Sequence, residues 1–152
     1  MFQNESANKE IKLNINIKLC GGRFPEYKHA TDACADCYTK ADSLFIVAPM
    51  ETVKVPLGFC LELPEDYEAV IRPRSGLSSK GILVHIGTID SGYRGEVMTT
   101  VTNLSDSPFK IEGETRICQL KIQKAEQFTF TEKEELSESD RGSDGFGSTG
   151  LK

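Results

Sequence analysis

Ile11, Leu13, Ile15, Ile17 and Leu19 alternate with Lys and Asn, a period of two that predicts a strand with one buried face. Val53, Val55, Leu57 and Phe59 repeat the pattern, and so do Val97, Thr99 and Val101. Shorter apolar runs predict further strands over 43–47, 68–72, 82–86, 107–112 and 116–123. Turn formers separate most of these runs, notably Gly21-Gly22, Leu63-Pro64, Gly87, Ser91-Gly92 and the stretch from Ser105 to Pro108. Many short strands punctuated in this way predict an all-β barrel or sandwich. No amphipathic stretch long enough for a substantial helix occurs; the one short helix expected follows Ser75.

The pattern stops near residue 130. Thr131–Lys152 is rich in Glu, Ser, Asp and Gly, with Leu136, Phe146 and Leu151 as its large apolar residues. Such a segment buries too little surface to offset the entropy of ordering it. The expected organisation is a β-domain over 1–130 and a flexible C-terminal arm over 131–152. The 152 residues suit one domain, and halves would be too small for good cores. A net charge of -5 argues against general binding to nucleic acid or membrane surfaces. An anionic ligand therefore needs a local nest of cations and backbone N–H groups. No long apolar run or basic-then-apolar start is present, so a cytoplasmic location is expected.

Five scattered cysteines, Cys20, Cys34, Cys37, Cys60 and Cys118, do not read as a disulfide framework. Cys34-Ala-Asp-Cys37 lacks a second Cys/His pair for a structural metal, so these thiols read as small buried hydrophobes. Arg72-Pro-Arg-Ser-Gly-Leu-Ser-Ser-Lys80 follows an apolar strand and enters the expected helix, where free N–H groups, Arg74, Lys80 and the Ser75 hydroxyl could meet an anion. Gly87-Thr-Ile-Asp-Ser-Gly-Tyr-Arg-Gly-Glu96 reads as a β-hairpin or tight loop. By itself Asp90 is a turn residue beside glycine and Tyr93 a core aromatic. In the arm, Gly145-Phe-Gly-Ser-Thr-Gly150 has the spacing of a dinucleotide fingerprint, but only two residues follow it, so no helix can open there. The Gly142–Thr149 spacing resembles a phosphate-binding loop without its lysine. A cation, an aromatic and two hydroxyls on a glycine-rich arm read instead as a flap closing on phosphate.

Together, Ala33-Cys-Ala-Asp36, Pro73–Ile82, Gly87–Glu96, Arg116-Ile-Cys-Gln-Leu120 and Arg141–Gly150 resemble, in order, the five motifs of the trimeric dUTPase family. The resemblance runs from about residue 25 to 150. It implies a jelly-roll-like β-barrel, a homotrimer with active sites between subunits, and a fifth motif that closes over a neighbour's site. It further implies hydrolysis of dUTP to dUMP and pyrophosphate by Mg²⁺-assisted in-line attack of water on the α-phosphorus. By position, Asp90 is the base and Asp36 holds waters of the Mg²⁺ shell. Arg74, Ser75, Gly76 and Gln119 contact phosphate. The backbone of Thr88, Ile89 and Asp90, with the strand through Met98, hydrogen-bonds uracil. Tyr93 packs under the deoxyribose and excludes a 2′-hydroxyl. Phe146 stacks on uracil, Gly147 is a further substrate-binding position, and Arg141, Ser148 and Thr149 hold the outer phosphates.

The chain departs from the family pattern at four places. Cys34 replaces a usual Gly, Val84 replaces an Asn that touches the base in many bacterial members, Glu114-Thr115 replaces Gly followed by an acid, and Asp144 replaces a frequent Gly. Two competing readings remain open: an enzyme of the related dCTP deaminase branch, and a nucleotide-gated regulator with a further protein partner. Tyr93 and the complete fifth motif favour dUTP.

Overall fold

A computed structural model describes residues 13–143 together with Gly145. The strands are β1 (Asn16–Leu19), β2 (Ala35–Tyr38), β3 (Leu44–Val47), β4 (Thr52–Pro56), β5 (Phe59–Glu62), β6 (Tyr67–Arg72), β7 (Ile82–Val84), β8 (Gly87–Ile89), β9 (Met98–Asn103), β10 (Phe109–Glu112) and β11 (Arg116–Lys124). One turn of helix, α1 (Ser75–Ser78), lies between β6 and β7. The strands form four antiparallel sheets: β2-β11-β6-β8, β4-β9-β7, β1-β5 and β10-β3. None of the described helices is long and apolar enough to cross a membrane.

One apolar cluster joins these sheets. Val47, Val55, Leu57, Phe59, Ile71, Ile82, Val84, Val101, Ile111 and Ile117 are all essentially inaccessible to solvent. They are the inward members of the period-two runs, which is why the alternation predicts the strands. Asn103 is equally buried, with every polar atom of its side chain engaged. Its amide donates to the carbonyls of Val47 and Ser107, and its oxygen accepts from the backbone and hydroxyl of Ser105. The turn after β9 is thereby fastened to β3.

The expected strand over 53–59 is two strands. Gly58 adopts a left-handed φ of 74°, and the chain passes there from the β4 sheet to the β5 sheet. β2 has no counterpart among the expected strands, because Ala-Asp-Cys-Tyr lacks an apolar run. Its burial comes from pairing with the long strand β11. The hairpin alternative for Gly87–Glu96 fails and the tight-loop alternative holds: β8 pairs with β6, whereas β9 pairs with β4 and β7. Residues 131–143 form neither helix nor strand and are exposed.

Candidate active site

The first cluster of predicted residues is built on the outer face of the four-stranded sheet. Asp36 of β2 stands opposite Gln119 of β11, and Gln119 stands opposite Arg72 of β6. Their chain neighbours Ala35, Cys37, Cys118, Leu120 and Ile71 point into the core, so alternation turns this row of three outward. A cavity of about 470 Å³ opens over the row, lined also by Asp32, Cys34, Arg74, Ser75 and Gly76. α1 begins at its edge, with Arg74 in the N-cap position and no side-chain cap. The Ser75 hydroxyl is thus not consumed by capping. The first turn closes through the N–H groups of Leu77 and Ser78 on the Arg74 carbonyl, leaving those of Ser75 and Gly76 outside the helix bonds. Lys80, at the far end of the turn, is not among the cavity's lining residues.

Asp36 is largely buried and sits between two guanidinium groups: Arg74 Nε lies 3.2 Å from one carboxylate oxygen and Arg116 3.4 Å from the other. Arg74 is further steadied by a 2.8 Å bond to the Arg116 carbonyl, and the Gln119 amide donates to the Pro73 carbonyl at 2.8 Å. Beside Asp36, a bridge to Glu26 lays residues 23–28 along β2. The Lys28 ammonium, and after it the Tyr38 hydroxyl, hold the Glu26 carboxyl below the usual range. Cys34 is half-buried at the cavity, whereas Cys37 points the other way and faces Cys118 in the core. That contact and burial push the Cys37 thiol far up. The expectation of small buried hydrophobes therefore holds for Cys37, and Cys34, half-buried in the bend before β2, departs from it. Among the described residues no group of three His, Cys, Asp or Glu side chains could hold a metal ion by itself.

The second cluster lies at the β8–β9 loop. Thr88, Ile89, Asp90, Tyr93 and Met98 line one pocket of about 280 Å³, with Lys54, Glu96, Val97 and Thr100. Asp90 is exposed, and its carbonyl accepts the Tyr93 N–H to close the turn. The Tyr93 ring is half-exposed rather than a core residue, and its hydroxyl donates to the Glu96 carbonyl at 3.1 Å. Gly95 lies directly under that ring, where any side chain would meet the phenol. Glu96 ties the loop to the barrel, accepting from the Gly58 N–H at 3.0 Å and facing Lys40 at 3.6 Å. Val84 is buried on β7, so this position offers no polar contact to a base. Arg141 is exposed in a turn of the arm; Phe146, Gly147, Ser148 and Thr149, with Asp144, lie outside the described residues.

The two clusters do not meet within one chain. Ile89 stands opposite Ala69, and Gln119 stands opposite Arg72, three residues further along β6. That spacing is about 10 Å, and Asp90 continues away from it. Arg72, Arg116, Gly95, Lys54 and Glu96 are the neighbours that motif reading passed over. Period-two alternation outward from Gln119 is the signal that finds Arg72.

Geometry and motif order receive independent support. A model of the dUTPase family matches residues 22–150. The chain belongs to the dUTPase family. It is 43% identical over 143 residues to the deoxyuridine 5'-triphosphate nucleotidohydrolase of Finegoldia magna, covering 92% of this chain and 99% of that one. It is 46% identical over 147 residues to the Cytophaga hutchinsonii enzyme of the same name, with 95% of each covered. The structure superimposes on the dUTPase of Staphylococcus bacteriophage 80alpha bound to dUpNHpp with a TM-score of 0.86 at 27% identity, covering 92% of this chain and 100% of that one. As in that family, the fold is a jelly-roll-like β-barrel.

Proposed function

We propose that the chain hydrolyses dUTP to dUMP and pyrophosphate in sites shared between copies. The observation that carries this reading is the split of the motif residues into two half-sites. One holds the Arg74-Ser75-Gly76 turn, Gln119 and Asp36; the other holds Asp90, Tyr93 and the uracil-facing backbone. A general base must come within about 3 Å of the water it deprotonates. The two halves line separate cavities set about 10 Å or more apart along the strands, and in this reading a second copy brings the base of one half to the phosphates held by the other. A homotrimer with three such sites is the assembly consistent with the family.

In this reading Asp90 accepts the proton of the water that attacks the α-phosphorus in line. Arg74, the free N–H groups of Ser75 and Gly76, and the Gln119 amide hold the phosphates and offset the charge that builds on their oxygens. Thr88, Ile89 and Met98 present backbone groups to uracil, and Tyr93, propped on Gly95, lies flat under the deoxyribose. Arg141, Phe146, Gly147, Ser148 and Thr149 of the arm close over the nucleotide and exclude water. Mg²⁺ on the triphosphate supplies charge neutralisation there. Asp36, one carboxylate between two guanidiniums, suits the waters of such a hydrated ion rather than the ion itself, and its oxygens keep lone pairs for them.

The test pairs Asp90→Asn with Arg74→Ala. Each variant alone binds a non-hydrolysable dUTP analogue weakly or well but turns over at least ~10²-fold slower than the parent. Co-expressed, they recover part of the activity, because some sites then combine an intact Asp90 with an intact Arg74. Full activity of Asp90→Asn would refute the base; absence of recovery in mixed assemblies would refute shared sites.

A further inference from the structure

Arg72 is the uncommitted cation of the phosphate half-site. Of Arg72, Arg74 and Arg116, the last two are held by the Asp36 carboxylate, and Arg74 also by the Arg116 carbonyl. Arg72 is exposed, lines the same cavity, and has no side-chain partner among the described residues. Its orientation is set by the sheet: it occupies the same outward row as Asp36 and Gln119, directly opposite Gln119 across the β6–β11 ladder. Side chains so paired stand about 5 Å apart at their Cβ atoms, within common reach of one ligand. Pro73 then fixes the backbone leaving the strand, so Arg72 and Arg74 flank the cavity from two sides.

Arg74 commits its Nε to Asp36 and one terminal nitrogen to the Arg116 carbonyl, keeping only its remaining N–H groups for an anion, whereas Arg72 can turn its whole guanidinium to a phosphate without breaking any contact among the described residues. We propose that Arg72 is a substrate-binding residue that engages the phosphate chain of the nucleotide through charge-assisted hydrogen bonds, beside the remaining donors of Arg74. Guanidinium geometry suits this task, since its fork of donors matches two phosphate oxygens. Arg116, paired with the other oxygen of Asp36, helps keep that carboxylate oriented beside Arg74.

This inference rests on the dUTP reading and sharpens its phosphate half. The experiment measures binding of dUMP and of a non-hydrolysable dUTP analogue, together with dUTP turnover, for the parent, Arg72→Lys and Arg72→Gln. Thermal unfolding of each confirms a folded protein. Arg72→Gln is expected to weaken the triphosphate analogue about tenfold or more, and dUMP by less, with KM rising and kcat nearly unchanged. Arg72→Lys recovers most of the loss, since the charge remains. The affinity of the parent should also fall more steeply with added salt than that of Arg72→Gln. Equal analogue affinity in parent and Arg72→Gln would overturn the proposal, as would an equal loss for dUMP and the triphosphate. A parent protein that neither binds the analogue nor hydrolyses dUTP would instead overturn the proposed function, and the inference with it.

Discussion

Thr99 carries the one buried side-chain hydroxyl among the described residues that lacks a hydrogen-bond partner. It lies on β9 between Met98 and Thr100, both of which line the pocket at the β8–β9 loop, while its own side chain points into the core. Burying an unpaired hydroxyl costs about 1–3 kcal/mol, and valine fills the same volume without it. Thr99→Val is therefore expected to raise stability by about 1 kcal/mol, or about 2–4 °C in Tm, with dUTP turnover unchanged. A lower Tm would show that the hydroxyl serves a partner. This detail is invisible in the sequence, where Thr99 is simply an inward position of a period-two run. Asp90 is the opposite case. Its chemistry became legible only through the order of five motifs, because an Asp beside Gly is by itself an ordinary turn. Arg72 was passed over for a related reason: motif residues are read along the chain, whereas Arg72 joins the site across the ladder from Gln119.

The corner between β4 and β5 decides how elements are arranged. Gly58, at φ 74°, lies against Gly22 so closely that a Cβ on either residue would meet the other's backbone. The chain changes sheets there, and the Gly58 N–H also holds Glu96 of the β8–β9 loop. Gly58→Ala combines left-handed strain with a backbone collision and is expected to cost about 2 kcal/mol or more in chemical denaturation. Gly92→Ala, where nothing lies within 4 Å of the added methyl, should stay within about 0.5 kcal/mol. Similar losses at both positions would contradict the corner's role. Alternation predicted most strands because one face of each packs on a single core. It failed at β4–β5, where apolar positions continue in phase through Gly58 although the partner strands change. It also failed at β2, whose Asp36 and Tyr38 belong to the site and to the Glu26 strap rather than to an apolar stripe.

At the scale of the molecule, barrel and half-sites obey one rule: inward positions are apolar, and the outward positions of a few strands carry the chemistry. The β2-β11-β6 row carries carboxylate, amide and guanidinium groups beside one cavity, and the β8–β9 loop lines the other, which the proposed function assigns to phosphate and to base and sugar respectively. The family fold was legible because the motifs sit at strand ends and turns, where sequence constrains geometry tightly. Sites shared between copies were expected through the family resemblance alone, since the spacing of the two half-sites follows from the β6 pairings with β8 and β11 rather than from any local pattern. All of this converges on water attack at the α-phosphorus of dUTP, which isotope placement tests most directly. The purified protein is incubated with Mg²⁺ and each deoxynucleoside triphosphate, and with UTP, in ¹⁸O-water, and products are read by mass spectrometry. One ¹⁸O in dUMP, unlabelled pyrophosphate, and dTTP, dCTP and UTP left intact are the expected results. Label in pyrophosphate, or ammonia released from dCTP, would contradict the account.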